Sequence, residues 1–367
     1  MHNFKNKKII ITGNTGFKGS WLTCWLLELG ADLYGISKDI PTEPSMFKSL
    51  DLENKINHFY EDINNFESIK TIINNIKPDF IFHMAAQAIV TKSYINPLET
   101  INTNVLGTAN ILEVLRTLNL DCVAVIITSD KCYENIEWEW GYKETDRLGG
   151  KDIYSASKGA AEVIFHSYYH SYFKNRDIYK TKLVSVRAGN VIGGGDWAQK
   201  RIVPDCIKAW VNKSNVEIRS PDATRPWQHV LEPLSGYLAI ADKLYNDISL
   251  NGDSYNFGPT SEYNKSVVDL IDDLSKYWNL NRSPYKISKE KVIFHEAGLL
   301  KLNCDKALFH IKWLPTLDYE ELIKYTSTWY NNFYNNKNID MLEFTRDQIK
   351  DYIKLASKKN IKWAMKN

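Results

Sequence analysis

Short apolar runs alternate with amphipathic stretches through the first half of the chain. The apolar runs predict strands at residues 8–12, 31–36, 56–60, 79–85, 122–129 and 182–188. Between them, apolar positions spaced three and four apart predict helices at residues 18–29, 68–76, 98–118 and 153–173. Because the runs lack alternating polar residues, both faces of each strand should be covered, which is typical of parallel sheets. Repeated strand–helix units therefore predict an α/β fold with a doubly wound, Rossmann-type parallel sheet.

The pattern becomes less regular after residue 187, where the glycine-rich stretch "AGNVIGGGDW" begins. Shorter elements are predicted beyond it at residues 203–211, 216–219, 231–245, 265–277 and 319–332. We expect residues 1–187 to form the sheet domain, with segments near residues 220–260 returning to it. Residues 188–367 should form mainly a smaller C-terminal lobe that binds the substrate.

Composition narrows the possible functions of this 367-residue chain. The formal net charge is +2, so bulk charge does not favour a nucleic-acid partner. No apolar run approaches the roughly 20 residues that a membrane-spanning helix needs, and no charged-then-apolar signal segment opens the chain. The five cysteines are scattered and form no CxxC pair, which favours reduced thiols over disulfides or a metal site. We expect a cytoplasmic protein without metal, membrane or nucleic-acid partners.

Three glycines, Gly13, Gly16 and Gly19, separate the first predicted strand from the first predicted helix. In such a turn the first glycine allows a sharp bend, the second lets the backbone approach a pyrophosphate, and the third lets helix and strand pack closely. The helix start adds free N–H groups and a positive dipole end, and the Thr15 hydroxyl is a further donor. An ordinary tight turn is the alternative, but the strand–helix context favours dinucleotide binding.

An acidic residue near the end of the second strand should hold the ribose of such a dinucleotide. Asp39 follows that strand and is the better candidate, since Asp32 begins the strand at its opposite end. Asp62, just after the third strand, is placed to meet the adenine edge. An acid beside the ribose repels a 2′-phosphate and favours NAD over NADP, although the neighbouring Lys38 weakens this argument.

The stretch "DIYSASKGAAEVIF" places Tyr154 and Lys158 four residues apart, on one face of a predicted helix. A phenol with a pKa near 10 is a poor base at neutral pH. A neighbouring ammonium and a positive nicotinamide ring favour the phenolate and lower that pKa. Tyr154 can then take the proton of a sugar hydroxyl while hydride leaves for NAD, with Lys158 also binding the nicotinamide ribose. The alternative is a surface pair of an aromatic residue and a lysine.

Four polar residues follow the fifth predicted strand: Thr128, Ser129, Asp130 and Lys131. They lie at the carboxyl edge of the sheet, where α/β proteins bind ligands. An acid can protonate a leaving hydroxyl, and a neutral amine can remove an acidic proton. These residues therefore suit proton transfer at a second carbon, in addition to oxidation, and an ordinary polar loop is the alternative.

Seven motifs of the sequence resemble those of a known family: "TGNTGFKGSW", "FHMAAQ", "NTNVLGT", "TSDKCYEN", "YSASKGAAE", "VRAGNVIGGGDW" and "RPWQHVLEPLSGY". Over nearly its whole length the sequence resembles the extended short-chain dehydrogenase/reductases, and within them the nucleotide-sugar 4,6-dehydratases. Relatives typically carry Asp-Glu where this chain has Asp130-Lys131, and the lysine version resembles the branch that acts on CDP-glucose. The resemblance implies NAD as cofactor, a nucleotide-diphosphate hexose as substrate, and a homodimer joined through a four-helix bundle of helices 98–118 and 153–173.

The resemblance also implies a reaction cycle. Tyr154 acts as the base for oxidation at C4, and Thr128 holds the same hydroxyl. Water is then lost across C5 and C6 with help from Asp130, and hydride returns to C6. Lys131 is favoured as the C5 base, with a water molecule or Asp130 left open. The rivals are a dehydratase for another nucleotide hexose, a 4-epimerase or decarboxylase on the same scaffold, and a non-catalytic NAD-binding scaffold.

Further contacts are implied residue by residue. For the cofactor they are Phe17, Lys18, Ile63, Ala85, Ala86, Gln87 and Asn104. For the substrate they are Gln87, Ser129, Asn190, Arg201, Arg219, Arg225, Trp227 and His229. Arginine suits this role because its guanidinium binds phosphate through two parallel hydrogen bonds. Residues 294–307 resemble another nucleotide-contacting stretch.

Overall fold

The computed structural model describes residues 3–260, 265–278, 280, 282–288 and 299–365. The strands in these ranges are β1 (Lys8–Thr12), β2 (Asp32–Ser37), β3 (Asn57–Tyr60), β4 (Phe80–His83), β5 (Val123–Ile127), β6 (Lys182–Ala188), β7 (Val191–Ile192), β8 (Val216–Ile218), β9 (Thr224–Arg225), β10 (Gln228–His229), β11 (Ser254–Phe257), β12 (Lys265–Ser266) and β13 (Tyr285–Ile287). Seven of these strands form the main sheet in the order β11-β6-β5-β4-β1-β2-β3, and every neighbouring pair is parallel. The doubly wound parallel sheet expected from the sequence is thus confirmed.

The α-helices pack on both faces of this sheet. They are α1 (Phe17–Glu28), α2 (Met46–Ser49), α3 (Phe66–Ile76), α4 (Val90–Ile95), α5 (Pro97–Ile101), α6 (Gly107–Leu118), α7 (Ile153–Tyr168), α8 (Ile202–Val211), α9 (Leu231–Asn246), α10 (Val267–Ser275), α11 (Asp305–Ile311), α12 (Tyr319–Asn335) and α13 (Met341–Lys358). The predicted helix 98–118 is interrupted by a π-helical turn at Asn102–Leu106, between α5 and α6. A second π-helical turn, Tyr169–Phe173, continues α7. None of the helices described is long and apolar enough to cross a lipid bilayer.

The continuous apolar runs are explained by burial on two sides. In β5, Val123, Val125 and Ile127 belong to one hydrophobic core, whereas Ala124 and Ile126 belong to the other. The first core includes residues of α1, α9, α12 and α13, and the second includes residues of α3, α6 and α7. Since side chains alternate between faces of a strand, every position of such a strand must be apolar.

The second half of the chain supplies part of the main sheet and further elements outside that sheet. β11 pairs with β6 at the sheet edge, although its sequence "SYNF" did not predict a strand. Small two-stranded sheets join β7 to β10, β8 to β13 and β9 to β12. Four helices were also missed from the sequence: α2, α4, α11 and α13. The polar residues that follow the strands of the main sheet meet at its carboxyl edge.

Candidate active site

A cavity of about 820 Å³ opens at the carboxyl edge of the main sheet. Its wall includes residues that follow β1, β2, β3, β4 and β5 and the end of β6. The strand order reverses between β4 and β1, and α/β sheets bind ligands at such a switch point. Of the residues expected to bind cofactor or substrate or to act in catalysis, seventeen line this cavity: Gly13, Thr15, Gly16, Phe17, Lys18, Gly19, Asp39, Asp62, Ile63, Ala85, Ala86, Gln87, Thr128, Ser129, Tyr154, Lys158 and Arg201.

The glycine turn has the geometry of an anion site. Gly13 has a φ of +75°, and a Cβ there would lie 2.8 Å from the Ala85 backbone. A side chain at Gly19 would overlap the carbonyl oxygen of Gly13. No side chain caps the start of α1 at Gly16, so the first helical N–H groups keep their donors for a ligand. The turn can therefore hold the pyrophosphate of a dinucleotide.

The far end of this cavity is bordered by acidic residues. Thr15 differs from expectation, because its hydroxyl donates to the Asp39 main-chain oxygen at 2.7 Å instead of being free for phosphate. Asp39 and Asp62 both line the cavity. Lys38 Nζ lies 3.3 Å from Asp62 Oδ2, so its charge is directed to that carboxylate. This arrangement leaves Asp39 placed to bind a ribose hydroxyl.

Four buried residues lie together on one side of the cavity: Thr128, Ser129, Tyr154 and Lys158. Burial raises the pKa of Tyr154 to about 12, although the Ser129 hydroxyl and the Arg201 guanidinium act against this. The sequence led us to expect a lowered value, so in the protein alone the cost of burying a phenolate dominates. Tyr154 can serve as a base only when further positive charge stands beside it.

Three cations supply positive charge to this wall: Lys18, Lys158 and Arg201. Burial lowers the pKa of Lys158 to about 8. Burial, with Arg201 and Lys158 as neighbours, also lowers the pKa of Lys18 to about 8, and Asp130 opposes this. Arg201 Nη1 is 2.9 Å from Asp196 Oδ2 and remains at the cavity surface. The wall thus suits a ligand that carries phosphate groups.

Asn104 lies behind the cavity wall and is 1% exposed. Its Oδ1 accepts from the Gln87 N–H at 2.8 Å, and its Nδ2 donates to the Gln87 carbonyl at 3.1 Å and to Ser157 Oγ at 2.9 Å. The Gln87 side chain is itself engaged, since Nε2 donates to Thr100 Oγ1 at 2.9 Å and to the Ile89 carbonyl at 3.1 Å. Asn104 therefore positions the wall and is not among the residues that line the cavity.

Asp130 and Lys131 are not among the cavity-lining residues of the described chain. Asp130 is 4% exposed, and its Oδ1 accepts from Ser129 Oγ at 2.9 Å. A side chain at Gly189 would overlap the Asp130 carboxylate, which explains the glycine there. Lys131 is half-buried, and its N–H donates to Ser129 Oγ at 3.2 Å. In this structure both residues lie outside the cavity lining and contact Ser129, which belongs to it.

Several expected substrate residues lie elsewhere. His229 is fully buried between the rings of Trp21 and Tyr325, its Nδ1 accepts from the Leu231 N–H, and burial lowers its pKa to about 3. It is a neutral core histidine, so its assignment as a substrate contact is corrected. Trp227 joins it at a separate cavity of only about 10 Å³, and is likewise corrected.

The remaining candidates stand apart from the large cavity. Arg219 is exposed beyond β8, and Arg225 donates to the Thr224 carbonyl at 2.8 Å. Asn190 has a φ of +53°, and its carbonyl accepts from the Gln228 N–H at 3.2 Å. None of the three belongs to the cavity lining. Most of the stretch 294–307 expected to contact the nucleotide is described, but residues 294–298 lie outside the described ranges.

Sequence reasoning missed two acidic residues of this site. Asp196, which lines the cavity and holds Arg201, belongs to the quoted "GGGDW" segment. Glu162 is fully buried behind Thr128 and accepts a short hydrogen bond from its hydroxyl. Its position four residues after Lys158, on the same helix face, was the available signal.

Similarity to known proteins agrees with this geometry. Residues 10–326 match the family described as GDP-mannose 4,6 dehydratase. A CDP-glucose 4,6-dehydratase of Salmonella typhimurium is 41% identical over 357 residues, which cover 97% of this chain and 98% of that protein. The human dTDP-D-glucose 4,6-dehydratase is 24% identical over 342 residues, which cover 91% of this chain and 93% of that protein.

Solved structures share the fold at lower identity. The dTDP-glucose 4,6-dehydratase of Bacillus anthracis, in complex with NAD, has a TM-score of 0.73 and 19% identity, covering 92% of this chain and 99% of that one. An epimerase of Methanothermobacter thermautotrophicus has a TM-score of 0.77 and 20% identity, covering 94% and 96%. These likenesses concern the fold alone. The match over residues 10–326 and the 41% identity along nearly the whole chain show that it belongs to the GDP-mannose 4,6 dehydratase family.

Proposed function

We propose that this chain catalyses the NAD-dependent dehydration of a nucleotide-activated hexose, with CDP-D-glucose as substrate and CDP-4-keto-6-deoxy-D-glucose as product. The observation that carries the proposal is the convergence of the glycine turn with Thr128, Tyr154 and Lys158 on one cavity. The 41% identical relative, a CDP-glucose 4,6-dehydratase, supports the choice of nucleotide and sugar. The Lys131 that follows Asp130 supports the same branch.

The cavity fits NAD at three places. The uncapped start of α1 would hold the pyrophosphate, Asp39 the adenosine ribose and Lys158 the nicotinamide ribose. Asp39 beside the ribose disfavours a 2′-phosphate, and Lys38 does not cancel this because it pairs with Asp62. When bound, NAD supplies the acceptor for the hydride from C4 and returns a hydride to C6.

Residues of the chain itself transfer the protons of the reaction. Tyr154 takes the proton of the C4 hydroxyl, and Thr128 holds that hydroxyl in place. Because burial raises the pKa of Tyr154, the phenolate depends on nearby positive charge, and Arg201 already lowers the pKa. Lys158 lines the same wall and adds to that charge.

Loss of water requires an acid near C6 and a base near C5. We assign these roles to Asp130 and Lys131, which adjoin Ser129 at the cavity wall. Lys131 takes the proton from C5 while Asp130 gives a proton to the departing C6 hydroxyl, which leaves as water. When hydride returns to C6, Lys131 gives a proton back to C5, and the proton that Tyr154 took from the C4 hydroxyl replaces the one that Asp130 lost, so the net change is the loss of one water. Lys131→Ala assayed for exchange of the C5 hydrogen in D₂O tests the base, and unimpaired exchange would remove the lysine from this role.

We further propose that the protein is a cytoplasmic homodimer. Helices α4, α5, α6 and α7 pack against one another, and the segment that they form exposes apolar side chains. These are Tyr94, Ile95, Leu98, Ile101, Leu106, Ile153 and Val163. A second copy that covers this face would make a four-helix bundle. The five cysteines, all in the described ranges, form no disulfide, which supports a reducing compartment.

Light scattering at micromolar concentration tests the dimer. Leu98→Asp places a charge on a side chain that is 73% exposed on this face, and should yield monomers. Ile248→Asp is the control, since Ile248 is 47% exposed outside these helices. A wild-type protein that is monomeric throughout would contradict the proposal.

The activity is tested by incubating the protein with NAD and CDP-, dTDP-, GDP- and UDP-hexoses, and weighing the products. Loss of one water from CDP-glucose, with absorbance in alkali from a 4-keto-6-deoxy sugar, is the expected result. An epimerase would give a product of unchanged mass. Tyr154→Phe should lower kcat about 10²- to 10⁴-fold with little change in KM. Dehydration of another nucleotide hexose alone would overturn the choice of CDP-glucose.

A further inference from the structure

The segment that follows β2 carries the acid expected at the cofactor ribose, Asp39. Of residues 38–43, all but Ile40 line the large cavity. Asp39 itself is exposed. An exposed acid on a surface segment has many positions open to it, so a specific contact is needed to place its carboxylate.

Thr15 of the glycine turn makes that contact. Its Oγ1 donates to the Asp39 carbonyl at 2.7 Å. Among the described residues, this is the one hydrogen bond that the main chain of residues 38–44 makes. Ile40 packs against the hydrophobic core, but such a contact has no preferred direction. The hydrogen bond from Thr15 is therefore the directional contact that sets the main chain at Asp39.

Thr15 is itself held firmly, since it is only 4% exposed. Its N–H donates to Ser37 Oγ at 3.3 Å, and Ser37 Oγ donates to Asn14 Oδ1 at 2.7 Å. Asn14 is fully buried, and a Cβ at Gly35 would overlap its amide, so the glycine leaves space for this side chain. The glycine turn, the end of β2 and Asp39 are thus one connected unit.

The position of Asp39 relative to the glycine turn matters because one ligand must meet both. The turn would hold the pyrophosphate, and the adenosine ribose follows it at a fixed distance. A carboxylate beside the ribose accepts from the 2′-hydroxyl and repels a 2′-phosphate, and both effects weaken with distance. Lys38 pairs with Asp62, but exposed ion pairs contribute little. Selection of NAD therefore depends mainly on where Asp39 stands.

We propose that Thr15 is the positioning residue for cofactor selection: it holds the Asp39 carboxylate where a ribose 2′-hydroxyl is accepted and a 2′-phosphate is rejected. This inference rests on the ribose placement in the function proposed above and does not depend on the sugar substrate. Without the Thr15 hydroxyl, residues 38–44 keep the apolar contact of Ile40 and sample more positions. NAD then loses a pre-organised partner, and the exposed Lys38 can approach a 2′-phosphate.

Calorimetric titration of NAD and NADP into full-length Thr15→Val tests this directly. Valine keeps the size and branching of threonine and lacks only the hydroxyl. The Kd for NAD should rise about 2- to 10-fold, the range expected for one hydrogen bond, while the Kd for NADP stays or falls. The ratio of the NADP Kd to the NAD Kd should therefore drop by at least that factor. An unchanged ratio would overturn the inference.

Two further variants separate positioning from general loosening. Thr15→Ser keeps a hydroxyl and should keep the wild-type ratio. Thr181→Val removes a fully buried hydroxyl outside the cavity, which donates to the Leu120 carbonyl at 2.7 Å. It should lower Tm and leave both affinities unchanged, whereas Thr15→Val should keep Tm, because water can reach the exposed Asp39. An equal change of ratio in Thr181→Val would overturn the inference.

Coupling to Asp39 shows whether Thr15 acts through this residue. Asp39→Ala should remove most of the preference for NAD. Adding Thr15→Val to Asp39→Ala should then change the ratio of Kd values less than about twofold, since the two residues act as one unit. Fully additive effects would mean that Thr15 selects the cofactor by another route, contrary to the inference.

Two fragments locate the effect at the ribose. Adenosine 5′-monophosphate and adenosine 2′,5′-bisphosphate differ only in the 2′-phosphate and lack the nicotinamide. The ratio of their Kd values should fall in Thr15→Val as the dinucleotide ratio does, and an unmoved fragment ratio would refute the assignment. If Asp39→Ala leaves the wild-type ratio unchanged, the ribose placement fails together with this inference. A ratio that responds to Asp39→Ala but not to Thr15→Val fails this inference alone.

Discussion

The Asn104 side chain pairs with both main-chain polar atoms of Gln87, at 2.8 Å from its N–H and 3.1 Å from its carbonyl. Gln87 lies in the cavity-lining loop after β4, and Asn104 lies in the π-helical turn between α5 and α6. A third bond, from Asn104 Nδ2 to Ser157 Oγ, reaches α7. Asn104 thus fixes the loop on one side of the cavity relative to the helix that carries Tyr154.

Asn104→Ala should lower kcat about tenfold or more, because small displacements of catalytic groups are costly. It should also destabilise the fold by about 1–3 kcal/mol, since Gln87 loses partners for buried main-chain groups. Asn251→Ala is the control, because Asn251 Oδ1 likewise accepts a main-chain N–H, from Leu183 at 2.7 Å near the start of β6. The control should lose stability and keep kcat. Steady-state kinetics and urea unfolding measure both, and a normal kcat in Asn104→Ala would contradict the positioning role.

Two glycine substitutions should separate packing from ligand binding. A Cβ at Gly19 would overlap the Gly13 carbonyl oxygen, so Gly19→Ala should lower Tm and abolish NAD binding. A Cβ at Gly16 would be 3.4 Å from the same oxygen, an ordinary contact. Gly16→Ala should therefore keep Tm while weakening NAD binding at least about tenfold, because the Cβ obstructs close approach of the pyrophosphate. Calorimetric titration and thermal unfolding measure the two effects. Wild-type affinity in Gly16→Ala would refute the assignment of this turn.

Arg201→Ala should raise KM for the nucleotide sugar about 10- to 100-fold, the effect of losing a charged hydrogen bond of about 1.5–3 kcal/mol. Arg201 also lowers the pKa of Tyr154, so its removal should move the acid limb of kcat to higher pH. Arg219→Ala is the matched control, because Arg219 is exposed and outside the cavity. Initial rates across pH test both variants. Equal KM values for the two variants would exclude Arg201 from substrate binding.

Glu232 should make the stability of the fold depend on pH. Burial raises its pKa to about 7, although hydrogen bonds from the Leu317 and Thr316 N–H groups and the Tyr352 hydroxyl oppose this. In the unfolded chain a glutamic acid titrates near pH 4.3. Because the pKa of Glu232 is higher in the folded state, its contribution to the stability of the fold is full below about pH 4 and is lost as pH rises through about 7. The amide side chain that Glu232→Gln introduces cannot titrate. The free energy of unfolding of this variant should therefore rise by about 2 kcal/mol relative to that of the wild type between about pH 5 and pH 8. Urea unfolding at both pH values measures this, and parallel curves would contradict it.

The strands of the sheet were predictable wherever both faces are apolar. The structural bounds of β1 (Lys8–Thr12) and β6 (Lys182–Ala188) match the predicted ranges. β11 was missed, because its Ser254 and Asn256 are polar yet buried, and their hydrogen-bond partners lie far away in sequence. A local hydrophobic pattern cannot reveal a strand whose polar groups are satisfied by distant residues.

The cofactor side of the site was easier to predict than the substrate side. The glycine turn is a local motif, so its position between β1 and α1 could be read directly. His229 was misassigned, because only the fold brings the rings of Trp21 and Tyr325 around it. Glu162 was missed for the same reason, since its ion pair with Arg187 of β6 and its hydrogen bond from Thr128 form only in the fold.

The pairing of β11 with β6 has a consequence for synthesis of the protein. Ser185 Oγ and Ser254 Oγ are 2.7 Å apart in the fold but 69 residues apart in the chain. On a ribosome, β6 leaves the exit tunnel well before β11, and until then its outer edge has no hydrogen-bonding partner. A stalled or truncated nascent chain that ends before β11 would therefore expose the unpaired hydrogen-bonding edge of β6. Such a chain would depend on chaperones to avoid aggregation.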